Sequence, residues 1–241
     1  MESSTDSIRI STIAPLLQKT LSILTPSLLT TYKGKFKFGN KQEYIGVKLS
    51  FQHLLKIPAD RIAVLIGKEG QVKHEIEEKC KVQIEIDSQN GNAVVSLSSK
   101  PVSEIQPFKA IEVISAISRG FSPQRAYRLL SDEELIFQII NLKDYAGKSS
   151  NAMDRIKGRI IGQNGKSRKT IEELSGAYVS VSGHTVALIG TFEEIRLAND
   201  AVLMILKGTA HKTVYTMLQE ARRKNKLDKM KLWEENNIKE H

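Results

Sequence analysis

Cys80 is the only cysteine in the chain, so no internal disulfide can form and the composition fits a reducing compartment. Histidine is also sparse. His53, His74, His184, His211 and His241 lie scattered, with no partner at zinc-ligand spacing, and no metal site or other cofactor is expected. A membrane-spanning run is missing too: the stretch from Ile8 to Leu29 is interrupted by Pro15, Lys19 and Pro26. It also lacks the basic start and unbroken apolar run of a secretory signal. The expectation is a cytoplasmic protein without a membrane partner. Acidic residues are in deficit, 27 against 36 Lys and Arg, giving a net charge of +9 and a pI near 9.5. That balance favours an anionic partner. At 241 residues the chain accommodates one large or two small domains.

Residues 158 to 173, GRIIGQNGKSRKTIEE, contain Gly165, Lys166 and Ser167, the end of a nucleotide-binding loop on first inspection. Such a loop requires glycine five positions before Gly165, where this chain has Ile160. The glycines fall at Gly158 and Gly162, so the loop cannot wrap a triphosphate. With no metal-ligating carboxylate or histidine cluster either, both an NTPase and a nuclease are disfavoured.

The stretch has a double. Residues 64–86 (VLIGKEGQVKHEIEEKCKVQIEI) align without gaps on 159–181 (RIIGQNGKSRKTIEELSGAYVSV), 95 positions later, with six of 23 positions identical. The identities are Ile66/Ile161, Gly67/Gly162, Gly70/Gly165, Ile76/Ile171, Glu77/Glu172 and Glu78/Glu173. Upstream of each copy lies an apolar stretch of strand character, FQHLLKIP or ELIFQIINL. Downstream, two alternating segments flank a turn, SQNG in the first copy and Gly183–His184 in the second. Amphipathic helices from Glu104 to Ser118 and from Phe192 to Leu206 close the two units. The predicted fold is α/β (α+β), in the order strand, helix, Gly-x-x-Gly, helix, strand, strand, helix, twice. Each unit has a three-stranded sheet covered by three helices.

This order, with an aliphatic-Ile-Gly-x-x-Gly loop between two helices, resembles the type I KH module. KH modules clamp about four nucleotides of single-stranded RNA or DNA against that loop. Glycine lets the chain turn sharply and approach a sugar-phosphate backbone. The following helix offers free N–H groups and the positive end of its dipole. Three residues past the second glycine, where an aliphatic residue is usual, this chain has Lys73 and Arg168.

Charge distinguishes the copies. From Arg155 to Lys169 there are six basic residues and no acidic one: Arg155, Lys157, Arg159, Lys166, Arg168 and Lys169. The first copy has Arg61, Lys68 and Lys73, opposed by Glu69 inside the loop, where a carboxylate repels phosphate. The candidate RNA-binding residues are therefore Gly162, Gln163, Asn164, Gly165, Lys166, Ser167, Arg168 and Lys169, with Arg155, Lys157 and Arg159. In the first copy they are Gly67, Lys68, Glu69, Gly70 and Lys73, and the second copy is expected to dominate. Glu77–Glu78 and Glu172–Glu173 read as surface or ion-pairing groups, Cys80 as a small core residue, and His184 as an exposed turn residue.

The second copy resembles the second KH module of the Partner-of-NOB (Dim-two-like) family. The residues that carry this are Gly158-Arg159, Lys166, Thr170-Ile171-Glu172, Val186–Gly190, Gly190-Thr191-Phe192 and the run from Ala198 to Gly208. The connector RGFSP..A..LL (119–130) is similar to that family as well. The resemblance implies a non-catalytic ribosome-assembly protein bound to the single-stranded 3′ region of small-subunit rRNA. It implies a Nob-type endonuclease and the α subunit of translation initiation factor two as partners. Gly67 and Gly70 are retained as in archaeal relatives, which implies an archaeal owner. A general KH adaptor or a protein–protein scaffold are the alternatives.

The domain reading is 1–49 as an extension, 50–130 and 131–208 as the two KH modules, and 209–241 as a charged helical tail. Within the extension, YKGKFKFGNKQEYIGVKL (32–49) carries +4 and alternates around Gly39-Asn40, which suggests a hairpin. The tail mixes Arg222, Arg223, Lys224, Lys226, Lys229 and Lys231 with Glu220, Asp228, Glu234 and Glu235, a mixed charged helix whose pattern does not distinguish rRNA contact from a solvated face.

Overall fold

The alternation and helical periods of the two repeats set the layers. A computed structural model describes residues 52–97, 106–146 and 150–239; the expected hairpin within 1–49 lies outside them. The first module runs β1 (Gln52–Lys56), α1 (Ala59–Ile66), a 3-10 turn (Lys68–Gly70), α2 (Gln71–Cys80), β2 (Val82–Asp87), β3 (Asn92–Leu97) and α3 (Gln106–Ser118). Two short helices, α4 (Pro123–Ala126) and α5 (Arg128–Ser131), form the connector. The second module repeats the order as β4 (Ile136–Asn141), α6 (Lys143–Ala146), α7 (Ser150–Ile161), a 3-10 turn (Gln163–Gly165), α8 (Lys166–Ser175), β5 (Tyr178–Ser182), β6 (Thr185–Gly190) and α9 (Phe192–Leu206). A long helix, α10 (His211–Lys239), follows. The strand–helix–loop–helix–strand–strand–helix order expected twice from the sequence is present twice. The first closing helix is described from Gln106, since residues 98–105 lie outside the described ones.

Each sheet has three antiparallel strands with the last in the middle, in the orders β1-β3-β2 and β4-β6-β5. The helices between the first two strands carry the chain over one face, and the closing hairpin fills the centre. Asp87 shapes the first hairpin turn by accepting from the Gln89 and Asn90 amides at 2.9 and 3.2 Å. In the second hairpin Gly183 and His184 make the two-residue turn, with His184 exposed as its position predicts.

One face of each sheet packs on helices. Val82, Ile84, Ala93 and Val95 meet Leu65, Ile76, Cys80, Val113, Ile114 and Ile117 in the first core. Val179, Val186 and Leu188 meet Ile160, Ile171, Ile195, Ala198 and Val202 in the second. The central strand β6 differs from β3: all six of its residues are buried. Its other face, through Ala187 and Ile189, joins the first module's core beside Phe121, Ala126 and Leu129. The connector therefore lies across the back of the second sheet, and the two cores adjoin.

The tail also enters a core. The sequence reads residues beyond 208 as a mixed charged helix, for rRNA contact or solvent, yet Val214 and Leu218 of α10 are fully buried against the second module. Burying two such side chains stabilises that module by roughly 1.5–3 kcal/mol each. The charged positions dominate the pattern because just one narrow stripe of the first turns faces inward.

Candidate nucleic-acid interface

The two Gly-x-x-Gly loops have the same backbone. Gly67 and Gly162 leave their helices at φ 73° and 71°, and each amide closes the last helical turn, on Ala63 O at 2.9 Å and Gly158 O at 2.8 Å. Next comes one 3-10 turn with its middle residue left-handed, Glu69 at φ 54° and Asn164 at φ 53°. Gly70 and Gly165 then start α2 and α8 from φ 79° and 75°.

The two glycines of each loop have different reasons to be glycine. A Cβ on Gly162 would sit 2.6 Å from Ser167 Cβ, and one on Gly67 would sit 2.5 Å from Val72 Cγ2. The first glycine is thus clamped against the second residue of the following helix. At Gly70 and Gly165 a Cβ would meet nothing within 4 Å, so these glycines face open space with positive φ. The Gln71 and Lys166 amides close the 3-10 turns on Lys68 O and Gln163 O, and neither α2 nor α8 has a side-chain cap on the amides that follow.

The candidate residues separate into groups around this loop. Gln163, Asn164, Lys166 and Lys169 are exposed around the start of α8. Arg155 is exposed on α7, with Nε donating to Asn151 O at 3.2 Å. Arg168 is half-buried, and its Nε is buried without a hydrogen-bond partner among the described residues. Three others are engaged within the protein. Ser167 is 4% exposed and lies beneath Gly162. Lys157 pairs with Asp154 at 2.9 Å, an acid one position outside the basic run. Arg159 donates through Nη2 to Thr209 O at 2.7 Å, and His211 Nε2 donates to the Arg159 carbonyl at 2.8 Å. These two bonds anchor the start of α10 on α7. In the first module Lys68 and Glu69 are both exposed at the loop tip, and Lys73 lies 3.8 Å from Glu77.

The repeated glutamate has a structural task that spacing alone does not reveal. Glu77 Oε1 accepts from the Ile84 amide at 2.8 Å, and Glu172 Oε1 accepts from the Val179 amide at 2.9 Å. In both modules this carboxylate ties the helix after the loop to the edge strand beside it. Glu172 also meets Arg125 of the connector at 3.0 Å. Two more residues stand open on α7 beside the second loop. Ile161, immediately before the loop, is 36% exposed. Gly158, one turn earlier, is exposed in mid-helix, and a Cβ there would meet nothing within 4 Å, leaving that face of α7 bare. A mid-helix glycine costs roughly 0.5–1 kcal/mol relative to alanine, and no packing contact among the described residues accounts for it.

Known proteins match this arrangement. The second module and the start of α10, residues 136–223, match the family of the second, eukaryotic-type (type I) KH domain of PNO1, and residues 52–111 match the KH domain. A KH domain-containing protein of Methanocaldococcus jannaschii is 43% identical over 196 residues, 81% of this chain and 83% of that protein. The chain belongs to the Partner-of-NOB (PNO1/Dim2) family. Another member, the pre-rRNA-processing protein PNO1 of Saccharomyces cerevisiae, is 24% identical over 191 residues, covering 78% of this chain and 69% of that one. The crystal structure of an a/eIF2α–aDim2p–rRNA complex from Pyrococcus horikoshii contains a chain 43% identical to this one. The match has a TM-score of 0.69 and covers 74% of this chain and 97% of that one. The resemblance read from the second loop and the connector is thus upheld, and both modules of this Dim2-family chain are KH domains. Among the described residues no helix is long and apolar enough to cross a membrane.

Proposed function

We propose that this Dim2-family chain binds the single-stranded 3′ region of small-subunit precursor rRNA and assists its 3′-end maturation in the cytoplasm. The observation that carries the reading is the start of α8: an uncapped helix N-terminus behind open Gly165, flanked by exposed Lys166 and Lys169, with no carboxylate in the loop. A phosphate there meets the uncapped amides after Lys166, the helix dipole and two cations. Bases of the same strand lie along the bare face of α7 at Gly158 and Ile161, toward β5. The strand's two-residue alternation points the backbone groups of Val181 the same way as the Val179 amide, offering a polar edge for base readout.

The rRNA in the Pyrococcus complex and the pre-rRNA processing of the yeast relative support the choice of RNA. The a/eIF2α of the same complex supports the initiation factor's α subunit as a partner. Cutting falls to a separate Nob-type endonuclease, and this chain's part is to hold the strand.

Titration with a single-stranded oligoribonucleotide from the small-subunit 3′ end, and with its duplex, tests the reading at one stated salt concentration. The single strand should bind more tightly, since paired bases cannot lie in the groove. Its affinity should fall as salt rises, through counterion release. Equal affinity for both forms, or a flat salt response, contradicts it.

A further inference from the structure

A groove of about 1180 Å³ lies on the second module between α10, the end of α8 and the start of α9. Arg222 of α10 ties two of these helices together, donating through Nη1 to the Glu173 carbonyl at 3.2 Å. Apolar side chains stand open in the groove. Phe192, the first residue of α9, is 68% exposed and Met230 of α10 is 51% exposed, beside Leu174 and Leu197. The volume exceeds the ~300–1,000 Å³ of small-ligand pockets, so the space suits a polypeptide. No strand residue lines it, so a partner meets helix side chains and has no strand edge to extend.

Charge selects the occupant. The chain carries +9, yet five carboxylates line this groove against two cations, Arg222 and Lys226. Glu194 caps α9 by accepting from the Thr191 amide at 2.9 Å, and Glu193 pairs with Arg196 at 2.9 Å. The carboxylates of Glu134, Glu173 and Asp228 have no partner among the described residues. The end of α8 adds the negative pole of its dipole, while Glu193 and Glu194 offset the positive pole of α9. Phosphate is repelled here and cations are attracted.

We propose that this groove docks a basic amphipathic helix of a second protein. Its apolar side chains pack on Phe192, Leu197 and Met230, and its lysines or arginines face Glu134, Glu173 and Asp228. The groove lies at the opposite end of α8 from the Gly-x-x-Gly loop, ten residues or about 15 Å along the helix. Protein docking and RNA binding are therefore compatible, and neither requires the other.

The probe is a labelled peptide of about fourteen residues, with leucines at three- and four-residue spacing on one face and lysines on the other. One comparison peptide is a scramble of the same composition, and another has glutamate for lysine. The basic amphipathic peptide should bind the full chain on the order of tenfold more tightly than either. Two pairs of exposed substitutions locate the site. Glu173→Lys with Asp228→Lys reverses its charge, and Phe192→Gln with Met230→Gln removes its apolar grip. Each pair should weaken the peptide on the order of tenfold, with folding checked by circular dichroism. Glu78→Lys with Glu85→Lys makes the same charge change at exposed positions of the first module and should leave affinity within about twofold. Saturating single-stranded RNA should not displace the peptide. No binding of the basic peptide, equal binding of the scramble, or unchanged binding in either groove pair overturns the inference. So does an equal loss in the first-module pair, or displacement by RNA. A dimer of the full chain that Phe192→Gln dissolves makes a second copy the occupant and overturns it as well.

Discussion

Glu69 and Asn164 occupy the same left-handed position in two loops of one geometry, at φ 54° and 53°. Asparagine enters that region readily and glutamate does not. Glu69→Asn should therefore raise the stability of the first module by about 0.5–1 kcal/mol, read as a higher urea midpoint at unchanged slope. By removing a carboxylate from the loop tip it should also strengthen RNA binding. The paired glycines respond differently to alanine. Gly165→Ala meets only backbone strain, of roughly 1–2 kcal/mol. Gly162→Ala meets the same strain plus the body of Ser167, so it should be the more destabilising of the two in urea titration. The spacing of these glycines was legible because a repeat 95 residues apart displays it twice. The direction of the side chains was not. Ser167, Arg159 and Lys157 belong to the basic run in sequence, yet one is buried beneath Gly162, one holds Thr209 and one pairs with Asp154. Helical geometry sends neighbours to different faces, and only tertiary packing says which face is the open one.

At the scale of elements, the strands and hairpins were readable from alternation, and their register follows from the short turns at Asp87–Gly91 and Gly183–His184. The recurring Glu77 and Glu172 were visible too, but their strap to Ile84 and Val179 spans helix and strand and has no local signature. Glu172→Ala leaves the Val179 amide and Arg125 without their partner and should cost about 1–3 kcal/mol by urea denaturation. Charge hid the role of α10, where Val214 and Leu218 are the buried minority. Leu218→Ala should cost about 2–5 kcal/mol, a loss that a solvated tail would not show. In α2, burial pushes the Cys80 thiol up to about 11. Thiolate is the reactive form, so at pH 8 iodoacetamide should label the native protein on the order of a hundredfold more slowly than the unfolded chain.

Over the whole molecule, the sequence contains the duplication but not the way its copies meet. Nothing in the pattern of β6 separates a strand with one wet face from one buried on both, because the residues that cover it come from a connector about 60 positions earlier. The charge asymmetry between the loops was legible, and it carries the central claim that the second module is the principal RNA clamp. Titrating RNA against two folded variants tests that claim most directly. Gln163→Asp with Asn164→Asp puts two carboxylates where phosphate must pass, while both glycines stay in place. Lys68→Asp with Glu69→Asp makes the matching change in a loop that already holds one carboxylate. Both pairs sit on exposed loop tips, so circular dichroism should show both folds intact. The second-module variant should lose the greater part of its affinity and the first-module variant much less. A larger loss in the first-module variant would contradict the account and make the first module the principal clamp.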